Sequence, residues 1–528
     1  MRRFLLLAAV LLAAALLVFG LRAIPQLASY YAPIGDRVDA KRGDPFSKLV
    51  LDGPVVGLAS SGGGSRAAYL TAAVLREIRR SGLRLNADDP AGTARSLLDQ
   101  IDVVSAVSGG SLASAYFVAN ADTLKRAPAD DPAWTAFLDK MALGHRTNQY
   151  WKALASPWLW AKLIFTNYHR GLLARDDYDA VLFGGAALAS LPDRPALYIN
   201  AFDVANHVRF VFSKHRIDTA YYQPRDYWGK LAAPQSVVSA NDLTFLNVDP
   251  ASIAVADAVY ASSAFPIVYP NLALNHYGTK ILFQGRRIFL ADGALADNSG
   301  LITLLTQMRV AMRAPARPSS VLAISIDASL DRVDTNGTIF QQRGVEERYP
   351  WEGTVFEHGI QSINSAINLL QDVGWKFIEG TDVVTDQLNM NWEKELTART
   401  GSCGPGDKAS WRGLFESGKL SMRPLVLRLG LRDAVNPEFL MRVDAWRQTL
   451  PEEARKGWPE GLAAWARTMT RSLTRIDTDF ALDAEARKTL DVVALLLVNF
   501  KLADDLQVWE AAARAAAALP RPSLTCPP

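Results

Sequence analysis

The sequence predicts an α/β fold, because apolar segments typical of strands alternate along the chain with segments typical of helices. Two junctions between a predicted strand and the helix after it carry unusual residues. A glycine triplet, Gly62, Gly63 and Gly64, stands at the first junction, and Ser108 stands at the second. The functional prediction starts from these two places.

The glycine triplet precedes a helix predicted from Ala67 to Arg80. Glycines there leave backbone amides unpaired and accessible at the positive end of a helix dipole, which predicts an anion site. A nucleotide phosphate loop needs a Lys-Ser or Lys-Thr pair, but Ser65-Arg66 follows here, and the dinucleotide fingerprint needs spaced glycines. An oxyanion hole and a plain flexible turn remain as interpretations.

Ser108 lies between a strand predicted over residues 101–107 and a helix predicted over residues 112–120. A serine at a sharp strand-to-helix turn, flanked by small residues, is typical of a nucleophile elbow. Ala106 occupies the position where the usual elbow pattern has glycine. A serine at a helix start is often only an N-cap, but the glycine loop upstream favours a nucleophile.

A serine nucleophile needs a base. None of the six histidines has the sequence setting of a triad histidine, and only His276, in a turn, is kept as an alternative base. Asp292 ends an apolar strand at an Asp-Gly turn, which would place its carboxylate at the edge of the sheet where ligands bind. An ordinary turn is the other interpretation of Asp292.

Several short motifs occur in a fixed order over residues 55–327. Because of these motifs, the chain resembles the patatin-like phospholipases and has some likeness to the cytosolic phospholipase A2 branch of that fold. Motifs in one order are far more specific than any single motif. The segments that carry the resemblance are Gly62–Arg66, Asn200–Asp203 with Val208–Phe212, Ala261–Pro266, Ser108-Gly109-Gly110, and Asp292-Gly293-Ala294 followed by Asp297-Asn298.

The resemblance implies a three-layer fold with a central, mostly parallel sheet, and a catalytic dyad without a cofactor. Ser108 would attack a carboxylic ester of a membrane lipid, as in a phospholipase A or lysophospholipase, and Asp292 would take its proton. A carboxylate is a weak base, so Asp292 would have to be partly desolvated. Arg66 would support the oxyanion loop or contact a lipid phosphate. The amides implied to hold the oxyanion are those of Gly62, Gly63, Gly64 and Gly109.

Three alternatives to the dyad hydrolase stay open. In the first, His276 completes a Ser-His-Asp esterase. In the second, an alcohol replaces water as acceptor, which makes the enzyme a lipid transacylase. In the third, the chain is a catalytically silent lipid-binding scaffold, although the presence of Ser108, Asp292 and the glycine loop favours an active enzyme.

The N-terminal segment predicts association with a membrane. Arg2 and Arg3 precede an uncharged apolar run from Phe4 to Leu21, which as a helix is about 27 Å long. An uncleaved anchor and a secretory signal peptide are the two interpretations. The N-terminal positive charge predicts that the catalytic region lies on the periplasmic or extracytoplasmic side. Farther along, the Trp- and Lys-containing segment 150–165 predicts either an interfacial helix or a helix packed over the active-site groove.

The net charge and the two cysteines bear on whether the chain binds nucleic acid or metal. A net charge of +3 over 528 residues implies no nucleic-acid partner. Cys403 and Cys526 match no zinc or redox motif, and an oxidising compartment would permit a bridge between them. No metal site is predicted. The predicted regions are an anchor or signal peptide at 1–24, a linker at 25–50, a catalytic domain at 51–330 and a mainly helical extension at 331–528.

Overall fold

The computed structural model describes fourteen stretches of the chain. The predicted linker, both cysteines and the C-terminal tail after residue 517 lie outside them, as does the whole of segment 329–424. The described residues are 2–23, 54–85, 96–143, 156–166, 168–217, 240–243, 248–266, 268–276, 286–313, 321–328, 425–431, 433–449, 451–455 and 481–517.

The helices of these stretches include the two that begin at the motifs found in the sequence. Their bounds are α1 Arg2–Ala23, α2 Gly64–Ser81, α3 Ser108–Ala119, α4 Ala121–Arg126, α5 Pro132–Ala142, α6 Pro157–Phe165, α7 Arg170–Tyr178, α8 Val255–Ser262, α9 Leu301–Arg313, α10 Pro437–Thr449, α11 Glu452–Arg455, α12 Ala484–Leu496 and α13 Ala503–Ala517. Helix α2 begins at Gly64, the last glycine of the triplet, and α3 begins at Ser108, so both predicted strand-to-helix junctions are confirmed.

The strands form one mostly parallel sheet, with the order β5-β4-β3-β2-β1-β8-β9 and a β6–β7 hairpin attached to β3. Strands β1, β2, β3, β8 and β9 run parallel, while β4 and β7 lie antiparallel to β3. The strand bounds are β1 Val55–Ser60, β2 Ile101–Val107, β3 Ala196–Asp203, β4 Val208–Phe212, β5 Ala240–Asp242, β6 Leu272–His276, β7 Arg286–Asp292, β8 Val321–Asp327 and β9 Leu425–Gly430.

Helices cover both faces of this sheet, so the three-layer α/β prediction is confirmed. All residues of β1, β2 and β8 are buried, as expected for central parallel strands. Alternate residues of β1 pack on opposite faces of the sheet. Val56 and Leu58 belong to the core between the sheet and helices α2 and α3, whereas Val55 and Ala59 belong to the core between the sheet and α9.

Strand β3 is the element that positions the candidate site. Its first part pairs with β2 as far as Asn200, which lies opposite Val107, the last residue of β2. Beyond that point the same edge of β3 pairs with antiparallel β7, and Ala201 lies opposite Asp292. Strands β2 and β7 therefore end facing each other, and the chain leaves β2 at the place where β7 finishes.

The C-terminal region packs onto the same sheet and onto α2. Strand β9 pairs with β8, and the Trp509 indole donates a 3.2 Å hydrogen bond to the carbonyl of Val321. At the interface between α12 and α2, the Asp491 carboxylate accepts hydrogen bonds from Tyr69 at 3.3 Å and from Arg76 at 3.0 Å. Burial, with the nearby Asp491 charge, raises the pKa of Tyr69, so the phenol remains a donor. The predicted boundary at residue 330 remains a prediction.

Helix α1 contains the whole N-terminal apolar run, and its side chains from Ala9 to Leu17 are exposed. Within the described stretches, no helix combines the length and apolar character required to cross a membrane.

We expect Asp491→Ala to lower the free energy of unfolding by about 1 kcal/mol, because Tyr69 and Arg76 lose a charged acceptor in a partly buried interface. Urea unfolding followed by tryptophan fluorescence measures the change. Asp504→Ala is the matched control: its ion pair with Arg442 is solvent-exposed on both sides, so its loss should cost less than about 0.5 kcal/mol. Equal effects of the two changes would contradict a stabilising contact between α12 and α2.

Candidate active site

Ser108 occupies a strained turn between β2 and α3. Val107 is still extended, with φ −135° and ψ 139°, whereas Ser108 has a φ of 48°, in the left-handed region that non-glycine residues seldom adopt. The residue is 8% exposed. Ala106 is fully buried on β2 and does not prevent the turn. The nucleophile-elbow geometry predicted from the sequence is present, even though glycine is missing at that position.

Asp292 meets Ser108 directly. The Ser108 hydroxyl donates a hydrogen bond of 2.8 Å to Oδ2 of Asp292. The other carboxylate oxygen, Oδ1, accepts a 2.9 Å hydrogen bond from the amide of Ala294. Asp292 is only 2% exposed, so it is desolvated as a weak carboxylate base requires. One oxygen is thus fixed by the backbone while the other faces the serine hydroxyl.

The glycine loop lies against this pair. Gly63 and Gly64 have φ values of 136° and 57°, conformations that a side chain would strain. A Cβ added to Gly62 would lie 3.2 Å from the Cβ of Ser108, and one added to Gly109 would overlap the backbone of Gly64. The two loops are therefore in van der Waals contact, which places the start of α2 beside the start of α3.

The amides of these glycines differ in availability. The Gly62 amide donates a 2.9 Å hydrogen bond to the carbonyl of Asn298, so the prediction that Gly62 serves as an oxyanion donor is corrected. Gly64 and Gly109 lie in the first turns of α2 and α3, where an amide has no helical carbonyl to bind. Gly63 is the N-cap of α2 and directly precedes Gly64. The candidate donors are therefore Gly63, Gly64 and Gly109.

The loop after Asp292 binds the glycine loop and leads into α9. Besides the bond from Gly62 to Asn298, the Asp297 carboxylate accepts from the amides of Ser299, Gly300 and Ile302 at 3.0 to 3.1 Å. Asp297 thus satisfies the free amides at the start of α9, as an N-terminal capping carboxylate does. These contacts give Asp297 and Asn298 structural roles that the motif alone did not reveal.

The segment Ala261–Pro266 contacts both members of the pair. The Ser262 hydroxyl accepts a 2.8 Å hydrogen bond from the Ser108 amide and donates one of 2.6 Å to the carbonyl of Asn200. Two residues on, the carbonyl of Ala264 accepts a 3.0 Å hydrogen bond from the Asp292 amide. This segment is recognised in the sequence only as part of a motif. The role of Ser262 could not be predicted, because its bond to the Ser108 amide joins residues 154 positions apart.

Beneath the elbow, the side chain of Asn200 connects β2, β3 and α9. Its amide group donates 3.0 Å hydrogen bonds to Oγ of Ser105 and to the carbonyl of Ala106, and its Oδ1 accepts from Thr303 at 2.5 Å. The buried guanidinium of Arg209 donates to Thr303. Buried polar groups with partners on several elements fix the relative positions of those elements, here directly below Ser108.

Arg66 and His276 have contrasting positions. Arg66, in the first turn of α2, is 9% exposed, so it does not extend into solvent as an arginine at that position commonly does. His276 ends β6 opposite Arg286, at the far end of the hairpin from Asp292, and six residues of strand correspond to about 20 Å. The register therefore argues against His276 as a partner of Ser108.

The described residues contain no cluster of three or more metal-ligating side chains.

The fold and the site define the class of protein: an α/β protein with a serine at a nucleophile elbow, hydrogen-bonded to a buried aspartate beside a glycine loop. Residues 58–305 match the family model of the patatin-like phospholipases. The chain thus contains a patatin-like phospholipase domain. The match confirms the resemblance, and the domain supports lipid acyl hydrolase activity in general. A comparison with curated proteins gave no match.

We expect Ser262→Ala to lower kcat by about tenfold with little change in KM, because the Ser108 amide loses its partner and the elbow loses a fixed contact. Steady-state hydrolysis of a soluble p-nitrophenyl ester measures both constants. Ser263→Ala is the control, since the Ser263 hydroxyl bonds only carbonyls of its own helix in the described structure. A Ser262→Ala protein with unchanged kcat would contradict this positioning role.

Proposed function

We propose that the protein is a serine acyl hydrolase that cleaves carboxylic esters of membrane lipids through a Ser108-Asp292 dyad. The observation that carries the proposal is the 2.8 Å hydrogen bond from the Ser108 hydroxyl to the buried Asp292 carboxylate. Hydrogen-bond contact between a nucleophile and a desolvated base is the geometry that general-base activation requires.

In the acylation step, Ser108 Oγ forms a bond to the ester carbonyl carbon as its proton passes to Oδ2 of Asp292. The carbonyl π electrons move to the oxygen and create a tetrahedral oxyanion. When this intermediate collapses, the bond to the leaving alcohol breaks, and the alcohol oxygen takes the proton from Asp292. Water then repeats the sequence on the acyl-enzyme, with Asp292 as base, and releases the fatty acid and Ser108.

The oxyanion would lie between the first turns of α2 and α3. The amides of Gly63, Gly64 and Gly109 belong to two helix N-termini whose backbones touch, so both helix dipoles favour negative charge at that place. Buried Arg66 is better suited to supporting this loop than to binding a lipid phosphate. Donors fixed by packing need no reorganisation as the charge develops.

Lipid esters are the substrate class that the family supports, and membrane association is the corresponding expectation for the chain. We propose that the N-terminal segment holds the enzyme at a membrane, with the catalytic region on the extracytoplasmic side. The support is the apolar run of α1 behind Arg2 and Arg3.

We expect Ser108→Ala and Asp292→Asn each to lower kcat for ester hydrolysis by about ten-thousand-fold, because each removes one half of the nucleophile-base pair. Labelling with a fluorophosphonate probe reports the nucleophile independently of turnover. Label should be absent from Ser108→Ala and strongly reduced in Asp292→Asn.

His276→Ala is the control for the dyad, and we expect it to retain labelling and activity because its strand register places it far from Asp292. Circular dichroism of all three variants verifies that they fold. Activity in Ser108→Ala would overturn the nucleophile assignment, and loss of activity in a folded His276→Ala would favour the Ser-His-Asp alternative.

A further inference from the structure

We infer that helices α6 and α1 form one lipid-facing surface that seats the protein on a bilayer, with the tryptophans of α6 at the headgroup level. This inference rests on the proposed function, since it names the surface that would bring the enzyme to its substrate. It adds a second contact site, distant in sequence from the N-terminal segment.

Helix α6 exposes apolar side chains on its outer face, where an ordinary surface helix has polar ones. It packs inward through Leu159 and Leu163, yet Trp158 and Trp160 on its outer face are 71% and 49% exposed. Ile164 and Phe165 are exposed as well. A helix of a soluble protein usually presents polar residues on that face, so this face needs an apolar or amphipathic partner.

Helix α1 packs against α6, and its exposed side chains extend the same apolar surface. From Ala9 to Leu17 every side chain is exposed, so no face of this part of α1 is covered by the described protein. A helix that is apolar on all sides is normally buried in protein or in lipid. Most of the large apolar side chains that are exposed in the described structure lie on these two helices: Val10, Leu11, Leu12, Leu16, Leu17, Trp158, Trp160, Ile164 and Phe165.

The charge of the two helices fits a lipid surface better than a protein partner. Neither α1 nor α6 contains an acidic residue, whereas Arg2, Arg3 and Arg22 flank the apolar part of α1 and Lys162 lies within α6. Positive charge attracts the anionic lipids of a bilayer. Tryptophan beside lysine favours the interface between headgroups and acyl chains. Apolar area, tryptophan and uniformly positive charge together select a bilayer that contains anionic lipid.

The test places a fluorophore on the surface of the full-length chain. Trp158→Cys, in a background with Cys403→Ser and Cys526→Ser, is labelled with the environment-sensitive dye NBD. It is then mixed with vesicles of phosphatidylcholine containing a minority of phosphatidylglycerol. We expect the dye emission to shift to shorter wavelength and to rise about twofold or more as residue 158 enters the interface. Met441→Cys in the same background is the control, because Met441 is similarly exposed but lies on α10.

An unchanged emission at position 158 would overturn the inference, as would an equal shift at position 441. A shift that appears without vesicles and grows with protein concentration would also overturn it, because the surface would then face a second copy of the chain. A kinetic measurement covers the case in which labelling disturbs the helix: Trp158→Ser with Trp160→Ser should raise the apparent KM for vesicle phospholipid about tenfold while leaving hydrolysis of a soluble ester unchanged.

The two proposals fail in different ways. If the hydrolase proposal is wrong, no hydrolysis depends on Ser108, yet the dye at position 158 can still shift. If the surface is wrong, Ser108-dependent hydrolysis of the soluble ester persists and the dye does not respond to vesicles.

Discussion

The candidate site depends on one constraint, the division of one edge of β3 between two partners. Strand β2 runs parallel to it and stops at Val107, and antiparallel β7 occupies the remainder and stops at Asp292. Because the two partners approach from opposite directions along one edge, their ends meet. The hydrogen bond between Ser108 and Asp292 is a consequence of this pairing, and a shift of register in either ladder would separate the two side chains.

Close backbone packing then builds the rest of the site around that meeting point. Gly109 touches Gly64, and Gly62 lies against Ser108, so the starts of α2 and α3 lie nearer to each other than larger residues would permit. Strain at Ser108 is maintained because its amide is held by Ser262, which in turn bonds the Asn200 carbonyl. Rigid positioning of this kind is what electrostatic stabilisation of a transition state requires.

Much of this arrangement could be predicted from the sequence. Gly63, Gly64, Ser108 and Asp292 each follow or end a strand, and local patterns of strand, glycine and helix reveal such positions. Contacts between distant segments could not be predicted in the same way. The bond from the Gly62 amide to Asn298 removed one expected donor, and the length of the β6–β7 ladder separated His276 from Asp292. Neither feature has a local signal in the chain.

The sequence by itself determined the alternating α/β fold, the two strand-to-helix junctions and the residue types available for acyl transfer, because short-range periodicity and turn chemistry encode all three. Only the tertiary structure decided that Asp292 and not His276 meets Ser108, that the Gly62 amide bonds Asn298, and that Ser262 holds the elbow. It also brought α1 against α6, two apolar segments far apart in the chain. These outcomes depend on strand register and helix packing, which join residues that no local pattern connects.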